Sequence, residues 1–218
     1  MDTAIKICGL VHPEHAIAAV DAGADMLGLM FAPSRRQLRP EQAADLAKAV
    51  RAYEDNAGSI KQVRLVGVFV NEDVDRIATI AHWCCLDAIQ LSGDEDVSIL
   101  DSLPPQYTIV KAIRLIDTAV EHHWLATNRP VQFLVDAHVV GSYGGTGVVA
   151  DWEQAAQLAQ QHEIILAGGL TPTNVGNAVQ SVRPWGVDVS SGVESNGTKD
   201  TAKIRAFVTA VRMVSELI

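Results

Sequence analysis

Glu163-Ile164-Ile165-Leu166-Ala167-Gly168-Gly169-Leu170-Thr171-Pro172 reads as one unit: a strand, a glycine turn and the entrance to a helix. A short apolar run bounded by turn residues is what a strand covered on both faces requires. Pro172 suits a first helical turn, where its missing N–H is not needed. The unit recurs along the chain. Strands are predicted at 4–8, 26–31, 64–70, 87–91, 108–113 and 132–136 before it, at 163–167 within it, and at 186–189 after it. Helices are predicted between them at 13–22, 40–53, 72–82, 118–126, 151–161 and 172–182, with a closing helix at 201–217. Pro13 and Pro40 open their helices, Gly23 ends the first, and Asn71 and Asp117 are placed as caps of the third and fourth. Right-handed crossovers between adjacent parallel strands close this order into a single-domain (β/α)8 TIM barrel over residues 1–218; an open doubly wound sheet is the competing architecture.

The charge balance narrows the partners. Seventeen Lys and Arg against 26 Asp and Glu give a net charge of −9, which disfavours nucleic acid and anionic membrane, since both demand concentrated positive surface. An anionic small molecule remains open through a local cluster. The first residues lack the apolar segment of a signal peptide, and no apolar run approaches a membrane span, so a soluble cytoplasmic protein is the expectation. Cys8, Cys84 and Cys85 are odd in number and lack metal-ligand spacing, which suggests neither a disulfide framework nor a structural zinc. The pattern fixes no oligomeric state.

Barrels of this kind carry their chemistry on the loops after the strands. Two-residue periodicity puts Lys6 and Cys8 on one face of the first strand and Leu134 and Asp136 on one face of the sixth, so a thiol and a carboxylate reach one cavity from distant parts of the chain. Spacing alone leaves Cys8 equally readable as core packing, and Asp136 as a turn cap. Gly168-Gly169 and Ser190-Ser191-Gly192 follow the last two strands, where backbone N–H groups and hydroxyls of this barrel type recurrently hold phosphate. A glycine pair by itself is as well explained by a turn. The loop 141–147, with Gly144 and Gly145, reads as a substrate cover or as a structural turn.

These stretches together resemble the phosphoribosylanthranilate isomerase family of tryptophan biosynthesis. The resemblance runs through Lys6-Ile7-Cys8-Gly9-Leu10, Ser34-Arg35-Arg36, Gly67-Val68-Phe69-Val70-Asn71, Gln90-Leu91-Ser92-Gly93, Val135-Asp136, Gly144-Gly145-Thr146-Gly147, Leu166-Ala167-Gly168-Gly169-Leu170 and Gly186-Val187-Asp188-Val189-Ser190-Ser191-Gly192-Val193-Glu194. It implies an Amadori rearrangement of a phosphorylated aromatic substrate without metal or organic cofactor. By resemblance, Asp136 is the general acid at the ribose ring oxygen, Cys8 the general base at ribose C2, and Arg36 the partner of the anthranilate carboxylate. A planar guanidinium suits that group, although the neighbouring Arg35 competes for the assignment.

The base role demands that Cys8, whose reference pKa is near 8.5, meet positive charge or oriented donors. Lys6 supplies that charge or instead pairs with Asp188; the sequence leaves both open. Ser92 stands where the family often has histidine, so no histidine-dependent role is carried onto it. His122 and His123 read as a helix surface. Two other readings remain at this level: a silent phosphometabolite-binding protein, and a related sugar-phosphate isomerase with a different aromatic group.

Overall fold

Alternation along each strand sorts the side chains into two cores. Ile5 and Ile7 pack outward with helical residues such as Ala16, Phe207 and Val211, whereas the intervening Lys6 is buried on the other face. In the computed structural model, which describes residues 2–58, 62–115, 118–136 and 152–215, eight parallel strands close into a barrel in chain order. They are β1 (Ala4–Cys8), β2 (Met26–Met30), β3 (Arg64–Phe69), β4 (Ala88–Leu91), β5 (Thr108–Ile113), β6 (Val131–Asp136), β7 (Ile164–Ala167) and β8 (Gly186–Val189). The pairing of Lys6 with Asp188 and of Ile7 with Val189 joins β8 back to β1, which decides for the barrel over the open sheet.

Around it run α1 (Pro13–Ala22), α2 (Pro40–Ala57), α3 (Val74–Trp83), α4 (Ala119–Leu125), α5 (Trp152–Ala159), α6 (Val175–Val182) and α7 (Thr201–Ser215). Their apolar faces meet the outward residues of the strands in the larger core; each fully buried Leu, Ile or Val there contributes about 1.5–3 kcal/mol. Inside the barrel, Met26, Val66, Ala88, Val110, Leu134 and Ile165 form a second, smaller cluster. It fills the lower barrel and leaves the ends of the strands free to line a cavity. Among the described residues no helix is long and apolar enough to cross a membrane.

Several predicted boundaries shift for local reasons. The third helix begins at Val74 rather than 72, because Asp73 and not Asn71 caps it: Asp73 Oδ1 accepts from the backbone N–H groups of Asp75 and Arg76 at 3.0 and 3.2 Å. Asn71 instead adopts a left-handed conformation, and its side-chain oxygen accepts from Asp94 N at 2.7 Å. Thr118 caps α4 by accepting from Glu121 N, while the expected cap Asp117 lies outside the described residues. Pro172 precedes α6 instead of starting it, since Asn174 folds the intervening turn through Thr171 N and Gly169 O. Between β4 and β5 the crossover is a 3-10 turn, Val97–Asp101, for which no element was predicted.

Candidate active site

The C-terminal ends of the strands enclose a cavity of about 470 Å3. Cys8 from β1, Arg36 from the loop after β2, Asp136 at the end of β6, Gly168 and Gly169 after β7, and Ser190, Ser191 and Gly192 after β8 all line it. Gly144 and Gly145 lie outside the described residues. Residues from five loops and strand ends thus converge as the strand-end reading expects.

Cys8 sits where its neighbours leave room for it. Gly28 is its register partner on β2, and a Cβ there would come within 2.7 Å of Sγ. One side-chain layer below, Lys6 Nζ donates to Asp188 Oδ1 at 2.9 Å, with the lysine fully buried. Burial pushes the Cys8 thiol above the ordinary cysteine value; Lys6 opposes this, and Asp188 adds to it. Burial also disfavours the Lys6 charge, but Asp188 and Cys8 together more than offset it, so the lysine is held above its usual range. The alternatives left open for Lys6 therefore resolve as both: it pairs with Asp188 and still acts on Cys8.

The two glycine loops lock together. Gly168 and Gly169 take φ of 88° and 63°, a left-handed path that favours glycine. Gly192 packs so closely on the carbonyl of Leu170 that an added Cβ would lie 1.8 Å from its oxygen. Ser190 Oγ donates to the Cys8 carbonyl at 3.1 Å and joins this pair of loops to β1.

In the loop after β2, the two arginines separate. Arg36 lines the cavity and is largely buried, whereas Arg35 is half exposed and reaches Gly197 O at 3.2 Å. Both contact Glu194. Burial disfavours the charge of this carboxylate, but hydrogen bonds from Arg36 and Lys199 bring it down to about 2. Lys199 Nζ, almost fully buried, donates to Glu194 Oε1 and to Ser190 O, each at 2.9 Å.

Glu194 and Lys199 were not among the sequence-derived site residues, yet a signal for them exists. Asn196-Gly197, both at positive φ, form the two-residue turn of a hairpin in which Glu194 and Lys199 are register partners. An Asn-Gly pair is the strongest short hairpin signal. Gln90 was also missed. Its Nε2 donates to Ser92 Oγ at 3.0 Å, both residues line the cavity, and its buried Oε1 has no partner among the described residues. The serine at this position thus serves the glutamine amide.

A family model described as N-(5'phosphoribosyl)anthranilate (PRA) isomerase matches residues 5–210. The N-(5'-phosphoribosyl)anthranilate isomerase of Roseiflexus sp. (strain RS-1) is 58% identical over 213 residues, 97% of this chain and 99% of that protein. Among solved structures, phosphoribosyl anthranilate isomerase from Thermotoga maritima gives a TM-score of 0.82 at 33% identity, covering 97% of this chain and 99% of that one. A phosphoribosyl anthranilate isomerase in complex with reduced 1-(o-carboxyphenylamino)-1-deoxyribulose 5-phosphate gives 0.78 at 31% identity, with coverage of 97% and 99%.

Proposed function

Because this chain belongs to the N-(5'-phosphoribosyl)anthranilate isomerase family and catalyses that isomerisation in tryptophan biosynthesis, we propose that Cys8 and Asp136 divide its proton transfers between them. The reaction is an Amadori rearrangement to 1-(2-carboxyphenylamino)-1-deoxyribulose 5-phosphate. The observation that carries the assignment is that a thiol from β1 and a carboxylate from β6 line one cavity together with Arg36 and the glycine loops after β7 and β8.

Asp136 donates a proton to the ribose ring oxygen. The C1–O bond breaks, and the nitrogen lone pair forms the Schiff base. Cys8 then takes the proton from C2, and its electron pair flows through C1 to neutralise the nitrogen, giving an enolamine. Proton loss from the C2 hydroxyl and protonation at C1 yield the ketone. Each general acid or base of this type contributes about a hundredfold to ten-thousandfold. Gly168, Gly169, Ser190, Ser191 and Gly192 bind the phosphate through backbone N–H groups and hydroxyls, and Arg36 takes the anthranilate carboxylate. The relative crystallised with the reduced product supports this two-ended reading, since that molecule carries a carboxyphenyl group and a phosphate. The chain works as one catalytic domain, in the cytoplasm.

The direct test supplies the purified protein with enzymatically generated phosphoribosylanthranilate and follows loss of the substrate's fluorescence. Turnover is expected; saturable binding with no turnover would establish the silent-binder reading instead.

A further inference from the structure

Arg36 does not stand alone at the carboxylate side of the cavity. Its Nε and Nη2 donate to the two oxygens of Glu194 at 2.7 and 3.0 Å, while Nη1 has no partner among the described residues. Two parallel N–H···O bonds fix a guanidinium plane in a way that a single contact does not. The arginine stem is confined as well: it crosses Gly9, where a Cβ would come 2.3 Å from Cδ. Glu194 in turn is held by Lys199, whose ammonium also binds the Ser190 carbonyl, and by Arg35. One carboxylate among Arg35, Arg36 and Lys199 leaves positive charge in excess. The pairing therefore orients Arg36 without cancelling its attraction for an anion.

We propose that Glu194 is a positioning residue for the isomerisation, holding the Nε–Nη2 edge of Arg36 so that the Nη1 side meets the substrate carboxylate. This rests on the reading of Arg36 as the carboxylate contact. The chain Arg36–Glu194–Lys199–Ser190 also ties that contact to the phosphate loop, so one carboxylate sets the span between the two anionic ends of the ligand.

The test measures steady-state kinetics and inhibition for Glu194→Gln, Glu194→Asp, Arg36→Ala and the Glu194→Gln/Arg36→Ala double variant. The inhibitors are the reduced product analogue and its counterpart lacking the ortho carboxylate. For Glu194→Gln, KM rises about tenfold with kcat within about threefold, as expected for loss of a charge-assisted pair that orients a binding group. Its preference for the carboxylated inhibitor falls in step, while binding of the other inhibitor holds. Glu194→Asp, which keeps the charge, retains part of the preference and supplies the reading if the glutamine variant does not fold. In the Arg36→Ala background, Glu194→Gln has no further effect. Equal loss of affinity for both inhibitors, or an undiminished effect in that background, would overturn the proposal. If Arg36→Ala itself leaves the preference intact, the carboxylate reading of Arg36 fails, and the role of Glu194 fails with it.

Discussion

Lys6 Nζ lies 2.9 Å from Asp188 Oδ1 across the seam where β1 meets β8, directly beneath Cys8 on the same strand face. A buried lysine shared between a carboxylate and a thiol sets how readily that thiol gives up its proton. Burial and Asp188 favour the thiol; Lys6 and, more weakly, Lys199 favour the thiolate.

Replacing Lys6 by Met removes the largest opposing influence, so the Cys8 thiol rises further. The base form is the thiolate, so the limb of the kcat/KM profile that rises with pH moves to higher pH. Turnover at pH 7 falls about tenfold or more. Asp188 also loses its partner, so the melting temperature drops. An unmoved rising limb, with rate loss equal at every pH, would show that Lys6 acts by packing alone.

Glu194 makes an acid-side prediction. Its folded pKa of about 2 lies below the ordinary 4.5, so its stabilising effect is fully present above 4.5 and is lost as pH falls towards 2. Melting temperatures of the wild type and Glu194→Gln should therefore differ most near neutrality and converge towards pH 2. A gap that stays constant with pH would mean that the carboxylate charge is not what Arg36 and Lys199 hold.

Gly28 has a spatial role. The Cβ of Gly28→Ala would lie 2.7 Å from Cys8 Sγ and 3.0 Å from Cys8 Cα, so the sulfur must move. A displacement of about 1 Å costs about a hundredfold in kcat, while affinity for the phosphate end is retained. Unchanged kcat would argue that Sγ is not at the reacting carbon.

The phosphate loops are expected to separate two glycines that look alike in sequence. Gly192→Ala drives a Cβ to 1.8 Å from the Leu170 carbonyl oxygen and should disrupt both loops, raising KM and lowering the melting temperature strongly. Gly169→Ala meets nothing within 4 Å and carries only the cost of a left-handed residue, about 1–2 kcal/mol. Calorimetry and KM for the two variants side by side check this ranking.

The strands were legible because apolar runs bounded by turns carry their own period; β1, β5 and β8 match their predicted limits. Caps were less so. Asn71 and Asp73 are both good capping residues, and only the left-handed turn at Asn71, stitched to Asp94, decides which one caps. The convergence of Cys8, Asp136, Arg36 and the glycine loops followed from strand ends and family resemblance. What the sequence could not decide was pairing across the fold: Lys6 with Asp188 stood as one of two open readings and Arg36 with Glu194 was not anticipated, both pairs being separated by more than 150 residues. Such partners depend on barrel closure rather than on local pattern.

The central claim is that Cys8 and Asp136 act on the ribose as base and acid. It is tested most directly by the kcat of Cys8→Ala and Asp136→Ala, measured with the affinity of each variant for the reduced product analogue. The expected result is a loss of kcat of at least about a hundredfold in both, with analogue affinity within about threefold of the wild type. Turnover near the wild-type rate in either variant would contradict it.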